Sequence, residues 1–245
     1  MNRIKQKFDE LASNDSKALI TYIVAGDPDL DSTLSIMNCM VKEGADIIEI
    51  GIPFSDPMAE GVSIQRGHER ALQNKTSIKD SLSLVSKFRQ SNKTTPIVFM
   101  GYMNPFESMG VQDFCKEAAR KGVDGILIVD MPPEESTEFS EEAKNNGIDV
   151  IRLIAPTTDL SRAREICDLS SGYIYYISVK GITGSNNLDS QDVKKKVEIL
   201  SKETDLPIAI GFGIKDSNSA LSVKDFADGI VAGSVFVDIV GEGGD

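Results

Sequence analysis

Eight short runs of apolar and β-branched residues recur along the chain, separated by polar stretches whose apolar positions repeat with helical spacing. The runs are 18–24, 47–50, 97–100, 125–129, 150–154, 173–178, 207–210 and 229–232. The stretches are 30–43, 77–90, 111–121, 134–146, 160–169, 191–204 and 217–226. Strict alternation of the two patterns predicts parallel strands joined by right-handed helical crossovers. Eight such units favour a closed (β/α)8 TIM barrel over an open doubly wound sheet, which usually has fewer strands.

The 245 residues are enough for one large barrel or for two small domains. No linker-like segment divides them, so we expect a single domain over residues 1–245. An amphipathic segment at 4–11 precedes the first strand, and we expect it to cap the bottom of the barrel. The residues after the last strand are too few for a full closing helix, so they predict a short helix and a frayed, glycine-rich tail.

The overall charge narrows the classes of partner. A formal net charge of −12 argues against nucleic acid and anionic membranes, because both attract basic patches. Neither an N-terminal apolar leader nor a long apolar segment stands out, which argues against secretion and membrane spanning. Three widely spaced cysteines, an odd number, are expected to be buried, reduced thiols of a cytoplasmic protein.

A carboxylate interrupts one of the apolar runs. Glu49 lies in the middle of the second predicted strand, and a proline-bounded turn, 53–57, follows directly. An ionised carboxylate inside a barrel costs several kcal/mol unless it is paired. Two readings of Glu49 are open. It is a strand-end glutamate whose carboxylate contacts solvent or pairs with an arginine, or it is a functional group whose pKa is raised by burial.

Small-residue turns follow the last two strands, at Gly211-Phe212-Gly213 and Gly233-Ser234. Backbone amides at such turns bind phosphate in many barrels, although glycine also serves tight packing. The segment 181–188 has the composition of a lid or of an ordinary surface loop. His68, the only histidine, lies in a polar stretch that we expect to be solvated, and we assign it no role. A single histidine excludes a multi-histidine metal site.

These residues together resemble the tryptophan synthase α subunit family. The matching segments occur in the family's order and span nearly the whole chain. They are 48–61 (IEIGIPFSDPMAEG), 101–105 (GYMNP), 129–135 (VDMPPEE), 181–184 (GITG) and 211–214 (GFGI).

The resemblance implies retro-aldol cleavage of indole-3-glycerol phosphate to indole and glyceraldehyde 3-phosphate, without a cofactor or a metal. Glu49 matches the family's acid–base residue, which protonates ring carbon three and then takes a proton from the side-chain hydroxyl. Glu60 stands where the family has an aspartate that faces the indole nitrogen, and Val62 replaces the usual proline. Tyr175 matches a site tyrosine, and Thr183 matches the lid threonine.

The resemblance also implies the binding surfaces. The expected phosphate-binding residues are Gly184, Gly213, Gly233 and Ser234. The expected indole pocket comprises Tyr22, Met100, Tyr102, Leu127, Val129, Leu153 and Phe212. Family members pass indole to a β subunit that uses pyridoxal phosphate, in an α2β2 heterotetramer. The expected interface residues are Pro53, Asp56, Asn104, Pro105, Asp130, Pro132 and Pro133.

Two alternatives stay open at this level. A phosphosugar epimerase or isomerase uses the same scaffold, but the metal-dependent epimerases need histidine ligands that this chain lacks. A subunit that mainly binds and activates its β partner would also fit the altered position 60 and the short end. We predict weak activity for the isolated chain and stronger activity in the complex.

Overall fold

The predicted (β/α)8 barrel is confirmed. The structure is a computed structural model that describes residues 2–178, 190–211, 214 and 216–243. Eight parallel strands form a closed barrel in chain order, with β8 paired back to β1. The strands are β1 Ala18–Val24, β2 Ile47–Gly51, β3 Ile97–Gly101, β4 Gly125–Ile128, β5 Asp149–Ile154, β6 Ile174–Ile177, β7 Ile208–Gly211 and β8 Gly229–Ala232. Each strand begins within about two residues of its apolar run, because the β-branched runs are buried on both faces.

Helices surround the barrel. Within the described residues they are α1 Arg3–Ser13, α2 Leu30–Lys42, α3 Val62–Gln73, α4 Ile78–Ser91, α5 Met103–Met109, α6 Val111–Lys121, α7 Thr137–Asn145, α8 Leu160–Asp168, α9 Ser190–Leu200, α10 Ser217–Leu221 and α11 Ser234–Gly241. The sequence patterns did not indicate α3 and α5. The segment predicted as a helix from residue 134 forms a 3-10 turn at Pro133–Glu135 first, and α10 ends five residues before the predicted boundary at 226.

One end of the barrel is closed by α1, as predicted. The guanidinium of Arg3 donates to the Oδ1 atom of Asp124 at 2.7 Å, just before β4 begins. The ring centroids of Phe8 and Tyr173 lie 5.8 Å apart, and Tyr173 directly precedes β6. These contacts are with the amino ends of strands, so the carboxyl ends face the opposite, open end.

The C-terminal end is a short helix, also as predicted. α11 packs against α3 so closely that a Cβ atom on Gly67 would lie 2.8 Å from a methyl carbon of Val237. Next to this contact, Arg70 donates to both carboxylate oxygens of the buried Asp27. The short helix therefore packs against both α3 and β1.

The structure tests the expectations about the cysteines and about membrane-spanning segments. Cys115 and Cys167 are buried, but Cys39 is exposed because it lies on the outward face of α2, so the expectation for Cys39 was wrong. All three thiols are free. In the part of the chain that is described, no helix has the length and apolar character needed to cross a membrane.

Candidate active site

Glu49 lies inside the barrel with no solvent exposure. Alternation along β2 turns Ile47, Glu49 and Gly51 to the interior, whereas Ile48 and Ile50 pack against the outer helices. The hydroxyl of Tyr173 donates to the Oε1 atom of Glu49 at 2.5 Å, and the Oε2 atom has no hydrogen-bond partner among the residues that the structure describes. Glu49 therefore neither reaches solvent nor pairs with an arginine, so the interpretation as an ordinary strand-end glutamate is wrong.

A second carboxylate enters the cavity from the loop that precedes α3. The side chain of Glu60 is buried and hydrogen-bonds the hydroxyl of Tyr102. Within the described part of the chain, its Oε2 atom has no partner. Two contacts hold this loop. The amide of Ala59 donates to the hydroxyl of Tyr102 at 3.0 Å, and the side-chain amide of Gln65 donates to the carbonyl of Glu60 at 2.8 Å.

Burial raises the pKa of both carboxyl groups to about 7. For Glu49, the hydrogen bond from Tyr173 opposes this rise and the charge of Glu60 adds to it. For Glu60, the hydrogen bond with Tyr102 lowers the pKa. Near neutral pH, an ionised Glu60 therefore favours a protonated Glu49, which is the combination that an acid next to a charge stabiliser requires.

The two carboxylates open into a cavity at the carboxyl ends of the strands. Its lining residues are Tyr22, Glu49, Glu60, Gly61, Ser63, Ile64, Met100, Tyr175, Ile214, Val231, Gly233 and Ser234. Apolar walls and two buried acids suit a flat apolar ligand with a polar or cationic edge. At one side, Gly233 and Ser234 begin α11, whose first backbone amides are suited to an anion.

The predicted site residues divide into three groups. Lining the cavity are Tyr22, Glu49, Glu60, Met100, Tyr175, Gly233 and Ser234. Lying behind its wall or beside it are Tyr102, Leu127, Val129 and Leu153. Outside the described residues are Thr183, Gly184, Phe212 and Gly213. Leu127 is fully buried in the barrel interior, while Val129 and Leu153 also border a second cavity, beside the loop that follows β4.

Comparison with known proteins agrees with this geometry. Residues 8–245 match the family model described as tryptophan synthase alpha chain. The tryptophan synthase alpha chain of Nitrosomonas europaea is 48% identical over 238 residues, which cover 97% of this chain and 86% of that protein.

The chain belongs to the tryptophan synthase alpha chain family. Among solved structures, tryptophan synthase subunit alpha from Legionella pneumophila is similar with a TM-score of 0.91 and 39% identity, covering 100% of this chain and 92% of that one. A chain from the structure of the tryptophan synthase α2β2 complex of Pyrococcus furiosus is similar with a TM-score of 0.85 and 39% identity. The match covers 92% of this chain and 90% of that one.

Two buried residues of this chain were missed from the sequence. Tyr173 directly precedes β6 and contacts Glu49 on β2. Only the closed barrel brings these two residues together. His68 was expected to be solvated, but it is buried on α3 and contacts Tyr22 and Phe54, so that expectation was wrong. The spacing of Ile64, His68 and Ala71 on one helical face could have indicated the buried side of α3.

The residues expected to contact a β subunit lie around the open end of the barrel, on the segments that follow β2 and β4 and in the first turn of α5. Asp56, Asn104, Asp130 and Pro132 are exposed, Pro105 and Pro133 are half-buried, and Pro53 is buried at the end of β2. The carboxylate of Asp130 accepts a hydrogen bond from the amide of Met103 at 2.8 Å. This bond joins the loop that follows β4 to the start of α5.

Proposed function

We propose that this protein is the α subunit of tryptophan synthase and cleaves indole-3-glycerol phosphate to indole and glyceraldehyde 3-phosphate. The observation that carries the proposal is the pair of buried carboxyl groups, Glu49 and Glu60, at one cavity of a barrel from this family. Both carboxyl groups have a pKa of about 7, so either protonation state is accessible near neutral pH.

The reaction needs one proton donor and one charge stabiliser. Glu49 gives its proton to carbon three of the indole ring, which becomes a cationic indolenine. Ionised Glu60 stabilises the positive charge at the ring nitrogen. The Glu49 carboxylate then removes the proton of the neighbouring side-chain hydroxyl. As the aldehyde forms, the carbon–carbon bond breaks and its electron pair returns to the ring, which releases neutral indole.

The phosphate of the substrate lies at the start of α11 in this proposal. Gly233 and Ser234 line the same cavity as the two acids, and the helix dipole favours an anion there. Gly184 and Gly213 are proposed to complete the phosphate site, and Thr183 to orient Glu49 when the lid closes. Tyr175 and Met100 contribute the walls of the indole pocket.

A β subunit is the proposed partner, because a similar chain comes from a tryptophan synthase α2β2 complex that was studied for mutual activation. The open end of the barrel, with Asp56, Asn104 and Asp130 exposed around it, is the proposed contact surface. We place the complex in the cytoplasm, in agreement with the three free thiols.

The decisive experiment measures indole release from indole-3-glycerol phosphate by the purified chain, with and without a tryptophan synthase β subunit. Wild type should release indole slowly alone and faster in the complex. Glu49→Gln should release none in either state, while the exposed Glu43→Gln serves as the matched control and should match wild type. If the wild-type complex forms but releases no indole, a binding and activating subunit is the better description.

A further inference from the structure

A buried arginine on β5 lies outside the cavity of the two acids. Arg152 has 6% of its surface exposed, and its side chain extends away from the barrel interior, between α7 and α8. Its Nε atom donates to the carbonyl of Leu169 at 3.1 Å. Its Nη2 atom donates to the hydroxyls of Ser136 and Ser140 at 2.7 and 2.9 Å. All three acceptors are neutral, so they do not balance the charge of the guanidinium.

Buried and half-buried arginines elsewhere in the described chain pair with carboxylates. Arg89 donates to the buried Asp124 at 2.7 Å, and Arg70 donates to both oxygens of Asp27. Arg152 forms no ion pair with any residue that the structure describes. A buried cation normally has a counter-charge, because its removal from water is costly. Arg152 is therefore the exception among these arginines.

Arg152 lines the second cavity, beside the loop that follows β4. The apolar walls of this cavity include Ile128, Val129, Met131, Leu153 and Ile166. Two other charged residues border it. Arg162 donates to the carboxylates of Glu134 and Glu165, which neutralise it. Asp130 is exposed, so water screens its carboxylate. The unbalanced charge at this cavity is that of the buried Arg152.

The guanidinium of Arg152 retains donors for a ligand. Its Nη1 atom forms no hydrogen bond with the described residues, which leaves two N–H groups for an acceptor. We propose that this cavity binds a small organic carboxylate, whose oxygens accept from the Nη1 atom of Arg152 and whose apolar body lies against Met131, Leu153 and Ile166. The proposal does not depend on the proposed function, because the site is separate from Glu49.

The electrostatics of Arg152 agree with this assignment. Burial lowers the pKa of Arg152, and no carboxylate among the described residues opposes the effect. For Arg89, burial lowers the pKa to about 10, while the charge of Asp124 acts in the opposite direction. A bound carboxylate would do for Arg152 what Asp124 does for Arg89. A single unbalanced charge beside apolar walls suits a singly charged head on an apolar body.

The test uses phenylacetate as the probe and phenylacetamide as its matched neutral ligand. Methyl spectra of the full chain labelled with ¹³C-methionine report on both cavities, because Met131 lines this one and Met100 lines the cavity of the two acids. Met131→Leu and Met100→Leu assign the two signals. Phenylacetate should shift the Met131 signal in a saturable way, and phenylacetamide should bind about tenfold more weakly or less.

Three variants test the role of the guanidinium. Arg152→Gln removes the charge but keeps an amide donor for the serine hydroxyls, so phenylacetate should bind about tenfold more weakly. Arg152→Lys keeps the charge, and its affinity should lie between those of wild type and Arg152→Gln. Arg66→Gln, at an exposed arginine on α3, is the matched control and should bind like wild type. Any response of the Met100 signal should be the same in all of these proteins.

Three results would each overturn the proposal: a Met131 signal that does not respond to phenylacetate, an amide that binds as tightly as the acid, or wild-type affinity in Arg152→Gln. If Arg152→Gln does not fold, the comparison of acid with amide and the Arg152→Lys variant still decide.

A carboxylate side chain of a docked partner could supply the same chemistry, and calorimetry with a β subunit separates that source. Arg152→Gln should bind the β subunit like wild type. If it binds about tenfold more weakly while phenylacetate does not bind the wild-type chain, the carboxylate comes from the partner and the small-ligand site is wrong. The spectra need neither indole release nor a β subunit, so failure of the proposed function is distinguishable from failure of this site.

Discussion

Glu49 and Glu60 have similar pKa values but different surroundings. Glu49 lies deep in the barrel, where Tyr173 donates to one of its oxygens. Glu60 lies at the cavity mouth on a loop held by Tyr102 and Gln65. An ionised Glu60 raises the pKa of Glu49, so the charge that stabilises the indole cation also keeps the proton donor loaded.

Shortening the second carboxylate should slow the chemical step. Glu60→Asp withdraws the carboxylate by about one ångström from the cavity and from Tyr102, and misplacement of that size costs about tenfold to a hundredfold in kcat. Glu60→Gln, which removes the charge, should cost about ten times more. Steady-state kinetics in the complex check both values, with KM expected to change little. A Glu60→Asp variant faster than wild type would mean that the loop is not fitted to glutamate.

The buried acid should make stability depend on pH. The pKa of Glu49 is about 7 in the folded chain against an ordinary 4.5, so the folded state holds a proton that the unfolded state has lost. Stability therefore falls as pH rises from about 4.5 to about 7, by about 3 kcal/mol from this residue.

Glu49→Gln removes that loss. Between about pH 5 and about pH 8, wild type should lose about 2 kcal/mol more than Glu49→Gln in the free energy of unfolding. Urea denaturation at several pH values measures the difference, with the exposed Glu43→Gln as the control that should follow wild type. Parallel curves for wild type and Glu49→Gln would show that Glu49 keeps an ordinary pKa.

At the scale of elements, the strands could be predicted from the sequence because their apolar, β-branched runs are buried on both faces. α3 was missed, because its buried face includes a glycine, a histidine and an alanine, and only the spacing of Ile64, His68 and Ala71 marks it as a helical face. The candidate site divides in the same way. A charge within an apolar strand identified Glu49, but its partner Tyr173 lies 124 residues away, and no local pattern links them.

The close packing of α3 on α11 makes Gly67 sensitive to added volume. A Cβ atom there would lie 2.8 Å from Val237 and 3.0 Å from the carboxylate of Asp27. Gly67→Ala should therefore lower the free energy of unfolding by about 1–3 kcal/mol, despite the better helix propensity of alanine. Urea unfolding measures this, and Arg66→Ala, on the exposed face of the same helix, should change little. One transition is expected if the chain forms a single domain. A stabilised Gly67→Ala would show that α11 can move away.

At the scale of the whole molecule, the two ends of the barrel have different tasks. α1 closes the amino end through Arg3, Phe8 and their partners, which makes that end a support for the interior. The carboxyl end carries the cavity and the exposed loops. A partner that docks on these loops would lie close to Glu60 and could alter its position directly. Substitutions at the amino end would change the activity only through the stability of the barrel.

The bond between Asp130 and Met103 tests that division. Asp130→Ala removes the acceptor of the Met103 amide and frees the loop after β4 from the start of α5. Binding to a β subunit should weaken about tenfold, because the loops must then be ordered on docking. Titration calorimetry gives the affinity, and indole release at increasing β subunit gives the stimulation. Asp9→Ala, an exposed change on α1 at the opposite end, should affect neither. If Asp130→Ala binds the β subunit like wild type, the partner docks elsewhere on the barrel.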